Sequence, residues 1–133
     1  MFKLDARLEA DTFFVHDLPL CRVLLMNDSQ FPWLILVPRV DGVTEIIDLT
    51  DVQQQQYLSE SAQVSRLLQS QFSPDKLNVA ALGNVVSQLH IHHVARYKSD
   101  IAWPKPIWGA QAVVAYPEGK GAELVNVLKQ ALS

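Results

Sequence analysis

Residues 77–96 read LNVAALGNVVSQLHIHHVAR, and the last third of this stretch puts three histidines into the four positions 90–93 of a chain with only one other, His16. Apolar runs on either side of a glycine-containing turn predict strand, loop, strand. Along the second strand successive side chains alternate between faces. Gln88, His90 and His92 therefore share one face, while Leu89, Ile91 and His93 share the other. His93, among apolar neighbours, is read as a packed residue, and the polar face is the one that carries chemistry.

Three readings of that face stand open. Two histidines spaced His-x-His on a strand present both rings on one side, which suits a metal ion. The further ligands on offer are His16, Cys21 and scattered carboxylates, and none lies at a characteristic spacing. Alternatively, a neutral imidazole whose other nitrogen is held by an acceptor can attack phosphorus, with a polar neighbour two residues along as helper. The turn LGNVVS (82–87), with Gly83 and Asn84, lies just upstream and offers backbone donors for phosphate oxygens. The third reading is a half-buried surface with no chemistry at all.

The rest of the chain predicts how this segment is framed. KLDARLEA (3–10) is a short helix, and FFVHDLPL (13–20) is extended chain running into a turn. RVLLMN (22–27) and WLILVPR (33–39) are apolar strands around the turn-forming DSQFP, so they pair as an antiparallel hairpin. VTEIIDL (43–49) is a third strand or the approach to a helix. Thr50 is a helix N-cap with Gln53 as its capping-box partner, and Tyr57, Ser61, Val64, Leu68 and Phe72 form the inward stripe. SPDK (73–76) stops that helix. IAWPKPIWG (101–109) is irregular, AQAVVAY (110–116) is a short strand, and a last helix faces inward through Leu124, Val127, Leu128, Ala131 and Leu132. These elements predict a single α+β domain over residues 1–133, with a mainly antiparallel sheet and two principal helices.

Bulk properties narrow the function classes. With 49% hydrophobic and 19% charged residues, the 133-residue chain has an ordinary globular composition. The net charge is −3 and the basic residues form no stripe, which speaks against nucleic acid as a partner. No apolar stretch is long enough for a membrane span. The single cysteine, Cys21, is a small core residue, and the acid-containing first 14 residues do not read as a signal peptide. The expected location is cytoplasmic.

LNVAALGNVVSQLHIHHVAR resembles the signature of the histidine triad family, His-φ-His-φ-His-φ-φ with φ apolar, behind a loop containing Asn and Gly and often followed by Arg. RVLLMNDSQFPWLILVPR (22–39) is similar to the family's nucleotide-side hairpin, and IDLTDVQQQQYL (47–58) to its capped helix, so the resemblance spans about residues 20–108. The form GNVVSQLHIH with WPKPIWG after it is most similar to bacterial diadenosine-tetraphosphate-hydrolase-like members. The resemblance implies an α+β homodimer that binds a nucleotide and cleaves or transfers at its α-phosphorus through a nucleotidyl-histidine intermediate, with no cofactor or metal required. His90 falls at the central, nucleophilic position and His92 at the third. His92 and Gln88 would hydrogen-bond the phosphate or leaving group. Asn78, Gly83, Asn84 and Val85 fall where members contact phosphate, and Asn27 or Asp28 where an acidic or amide group holds the ribose hydroxyls.

The departures are specific. Gln88 replaces the first histidine and cannot titrate near neutral pH. His93 takes an apolar position, and Trp33 stands where many members carry a histidine. Gln88 keeps a second function in view, a non-catalytic nucleotide-binding protein, and the His90–His92 pair a third, a metal-dependent hydrolase. Trp103 and Trp108 are read as packing or dimer contacts, and Arg39 and Arg96 as surface ion-pair partners outside the site.

Overall fold

The computed structural model describes residues 1–133. Asp5 caps a short helix, α1 (Ala6–Asp11), its carboxylate accepting from Arg7 N at 2.8 Å. The chain then makes β1 (Thr12–Asp17), β2 (Cys21–Met26) and β3 (Trp33–Pro38) as an antiparallel meander. Next come α2 (Asp51–Phe72), β4 (Lys76–Ala80), β5 (Ile91–Arg96) and α3 (Lys120–Leu132). The five strands lie in the order β1-β2-β3-β5-β4 with every pair antiparallel, the α+β architecture expected.

The sheet is covered on both sides, so its two central strands, β3 and β5, are buried along their whole length. One face packs against α2 and α3 through Val23, Leu25, Leu34, Leu36, Ile91 and Leu128. The other carries Leu24, Trp33, Ile35, Val37 and Val94 beneath Leu8 of the N-terminal segment and Ala102 and Ile107 of the 98–110 loop. Each Leu or Ile side chain buried this fully contributes roughly 1.5–3 kcal/mol.

The long helix forms where capping chemistry and periodicity agree. Thr50 Oγ1 accepts from Gln53 N at 3.2 Å, and Gln53 Oε1 accepts from Thr50 N at 2.9 Å. Besides the expected stripe, α2 buries Leu67 and Glu60. The Glu60 carboxylate satisfies Cys21 N at 2.7 Å and Leu20 N at 2.9 Å where β2 begins. Burial beside that carboxylate pushes the Cys21 thiol far above its usual range, and Cys21 is a core residue.

Residues 43–49 take the second of their two expected forms, the approach to a helix: they form no strand, and a 3-10 turn at Ile46–Asp48 leads into α2. Three local expectations are corrected. Residues 110–116 are not a strand. Their carbonyls receive only isolated bonds, as from Ser29 N to Val114 O at 2.7 Å, and Val113 and Val114 remain exposed. The inward row of α3 is Gly121, Leu124, Val125, Leu128 and Leu132. Val127 and Ala131 lie one residue, about 100° of helix, off that row and face solvent. Finally, Arg96 is fully buried, and its setting belongs with the site.

Candidate active site

β5 lies between β3 and β4, with Ile35 opposite His92 and Leu34 opposite His93. The alternation sorts His92 and His93 as the sequence implies, while His90 lies just before β5 begins rather than within it, its ring still beside that of His92. His93 points into the helix-covered core, where its Nε2 meets Ser61 Oγ at 2.7 Å and its Nδ1 meets Ile91 O at 3.1 Å. A carbonyl only accepts, so Nδ1 carries the proton and Nε2 accepts from the Ser61 hydroxyl. Burial pushes this imidazole down to about 4, and its ring is neutral and fully partnered at neutral pH.

His90 and His92 face the other way, with ring centroids 5.0 Å apart. His90 Nδ1 lies 2.7 Å from Gln88 O, so in the neutral ring Nδ1 donates and Nε2 keeps its lone pair. His92 is arranged in the opposite sense. Trp33 Nε1 donates to His92 Nδ1 at 3.0 Å, and because an indole N–H cannot accept, the proton of the neutral ring sits on Nε2. Burial pushes His92 down to about 3, with help from the neighbouring His90 and His93. Trp33 and Trp108 wall the His92 ring at 5.6 and 5.3 Å between centroids. The site thus pairs one nucleophilic nitrogen with one N–H donor, and neither Nε2 has a protein partner.

His90 borders a cavity of about 220 Å³ between the Thr44–Glu45 turn, Gly83 and Ser87. Leu89 N donates to Val43 O at 3.1 Å and holds the approach to His90 against that turn. Gly83 has φ 69°, a conformation glycine adopts without strain, and its turn brings backbone groups to the cavity beside His90. A larger hollow of about 580 Å³, lined by Trp103, Lys105 and Trp108 among others, lies in the 101–111 loop.

The remaining candidates are placed unevenly. Gln88 borders the cavity, but its amide is engaged: Oε1 accepts from Asp5 N and Nε2 donates to Lys3 O, each at 2.8 Å. Asn84 and Val85 are exposed at the tip of the loop. Asn78, opposite Val94, shares the histidine face, and its Oδ1 accepts from Arg96 Nη1 at 2.8 Å. Asn27 and Asp28 sit beyond the end of β2. Asn27 Oδ1 accepts from Tyr116 N at 2.9 Å, and Asp28 Oδ1 accepts from Gln30 N at 3.0 Å and Gln30 Nε2 at 3.1 Å.

Arg96, read from the sequence as a surface residue, is 1% exposed. It pairs with Asp100 at 2.8 Å, reaches Lys105 O at 2.8 Å and lies against the rings of Phe31 and Trp103. The pattern of alternation could not reveal this, because the partners come from a loop without periodicity. Arg39 stays half-buried near the surface as expected, pairing with Asp17 at 3.9 Å and donating to Leu18 O and Pro19 O. The residues sequence reasoning missed are Trp33 and Trp108. Trp33 was visible as the first residue of a strand, at a position where many family members carry a histidine; its use depends on the β3–β5 register. Trp108 Nε1 is buried without a partner beside this site. As for a metal, His90 and His92 can offer only their Nε2 atoms, and nowhere in the fold do three or more His, Cys, Asp or Glu side chains converge on one point.

A HIT domain family model matches residues 7–99. Among solved structures, a histidine triad protein from Marinobacter aquaeolei VT8 is 51% identical, superposes with a TM-score of 0.96, and aligns over 99% of this chain and 96% of its own. One from Bradyrhizobium japonicum is 44% identical with a TM-score of 0.95, over 99% and 98% of the two chains. One from Sinorhizobium meliloti 1021 is 38% identical with a TM-score of 0.94, over 98% and 96%. No curated protein matches the chain.

Proposed function

Since the chain belongs to the HIT domain family, whose members are typically nucleotide hydrolases, we propose that it cleaves at the α-phosphorus of a nucleotide through a covalent intermediate on His90. The substrate class is a (di)nucleoside polyphosphate or a nucleoside phosphoramidate, in line with the resemblance to diadenosine-tetraphosphate-hydrolase-like proteins. The observation that carries the reading is the hydrogen bond from His90 Nδ1 to Gln88 O, which leaves the Nε2 lone pair free beside the cavity.

In the first step Nε2 of His90 attacks phosphorus, the N–P bond forms, and the bond to the leaving group breaks with its electron pair. The Nδ1 proton stays shared with Gln88 O, which stabilises the positive charge that develops on the ring. His92 Nε2–H and backbone groups of the Gly83–Val85 loop donate to the phosphoryl oxygens. In the second step water attacks phosphorus, the N–P bond breaks, one water proton passes to solvent, and Nε2 recovers its lone pair. No metal or organic cofactor takes part in this reading, and the working unit is a homodimer.

Intact-protein mass spectrometry after brief mixing with diadenosine tetraphosphate, or separately with adenosine phosphoramidate, tests the proposal. An AMP-sized adduct on wild type with AMP release, both absent from His90→Ala, is the expected outcome. The second reading, a nucleotide-binding protein without turnover, is favoured by one observation: the Gln88 amide is tied to residues 3–5 rather than free for a leaving group. Thermal protection by nucleotide with neither adduct nor AMP would select it.

A further inference from the structure

The arrangement around His92 says more about the reaction than a count of histidines does. Gln88 and His92 are the two side chains of the triad pattern that flank His90, and Thr44, Glu45 and Ser87 also border its cavity. The Gln88 amide cannot titrate, and both its ends are bonded to backbone of the N-terminal segment. His92 is held by the Trp33 indole, whose N–H points at Nδ1 from 3.0 Å. A proton added at Nδ1 would face that N–H head to head, so the buried hydrogen bond would be lost. The titratable groups acting on His92 are His90 and His93 of its own strand, both of which oppose a second positive charge nearby. From β3 and from the 98–110 loop it meets only the indoles of Trp33 and Trp108, which do not titrate.

We propose that Trp33 is a positioning residue that locks His92 as a neutral Nε2–H donor, so that the site steadies charge on the phosphoryl oxygens and leaves departure to the leaving group's own acidity. The idea rests on the covalent reaction at His90 described above and sharpens its substrate class. A terminal phosphate or polyphosphate departs as an anion with the electron pair of the broken P–O bond and needs no proton. An alkyl amine expelled from a P–N bond does need one, and neither Gln88 nor His92 supplies it. Nucleoside polyphosphates are therefore favoured over alkyl phosphoramidates.

The test reads the tautomer and the chemistry separately. In ¹⁵N-histidine NMR of the wild-type protein, His92 is expected to show a protonated Nε2 and a bare Nδ1 throughout pH 5–8. Trp33→Phe keeps an aromatic ring but deletes the N–H together with the five-membered half of the indole, which packs on His92 and Trp108. It is expected to release this tautomer and to slow formation of the nucleotidyl adduct from diadenosine tetraphosphate by roughly 10- to 100-fold with little change in KM, the value of one hydrogen bond to an anionic oxygen. Across aryl esters of AMP, the wild-type rate is expected to fall by roughly 3- to 10-fold for each unit rise in leaving-group pKa.

A proton on His92 Nδ1 in the wild type would overturn the proposal whether or not any variant folds. So would an unchanged tautomer and rate in Trp33→Phe, or a rate insensitive to leaving-group acidity. The expected tautomer in a wild type that never forms an adduct would refute the covalent function instead, while upholding the lock that Trp33 places on His92.

Discussion

His92 and His93 are adjacent in sequence and both buried, yet they serve opposite faces of one sheet. On the helix-covered face both ring nitrogens of His93 are satisfied, by Ser61 and by Ile91 O. On the other face His90 and His92 each satisfy one nitrogen and leave the second without a protein partner. Depth of burial does not separate the structural histidine from the chemical ones; unspent hydrogen-bonding capacity does. The lesson extends to Gln88, which stands at the first position of the triad pattern but commits both ends of its amide, one hydrogen bond each, to residues 3–5.

The sharpest way to break this contrast is His90→Ala. Adduct formation should fall below detection while thermal stability stays near wild type, since the ring makes one hydrogen bond and packs beside a cavity. Adduct formation at an undiminished rate would end the assignment of the nucleophile.

Acid should act on both faces together. His92 and His93 titrate at about 3 and about 4 in the folded protein, against about 6.5 in the unfolded chain. Between those values the unfolded chain binds protons that the folded one refuses. Stability is therefore complete above about pH 6.5 and declines as pH falls toward 4, by roughly 1.4 kcal/mol per unit for each histidine. Urea unfolding at pH 7.5, 6 and 5 measures the slope, and His93→Gln should remove about half of it. A flat profile would mean that these rings are not held neutral by burial.

Gly121→Ala probes the helix-covered face alone. A Cβ there would lie 2.5 Å from the ring of Phe13, which is itself edge-on to Tyr116. Overpacking of this kind costs about 1–3 kcal/mol, and improved helix propensity returns at most about 1. A lower Tm with adduct formation per folded molecule intact is the expected result; a higher Tm would show that α3 moves freely on β1. The smallest effect is expected from Gln88→Ala, about 1 kcal/mol, with faster amide exchange at Asp5 once its acceptor is gone. Unchanged protection at Asp5 would deny the clasp.

Much of this molecule was legible without coordinates. The hairpin 22–39, the capped helix from Thr50 and the split of residues 88–93 between two faces follow from periods of 2 and 3.6 and from capping chemistry, all of them local. The segments misread were those where local pattern and tertiary placement part company. AQAVVAY has the composition of a strand, but it pairs with none of the five strands and stays mostly exposed. Arg96 reads as a surface charge because charged groups shun burial unless paired, and its pairing with Asp100, Asn78 and Lys105 O is assembled from β4 and the 98–110 loop.

By itself the sequence determined that a His-x-His pair would stand on one face of a strand behind a Gly–Asn turn, because side-chain alternation is a property of the extended backbone. Only the tertiary structure decided which nitrogen of each ring carries the proton. That choice belongs to the partner of the other nitrogen, Gln88 O for His90 and the indole of Trp33 for His92, and Trp33 reaches His92 from 59 residues away through the pairing of β3 with β5.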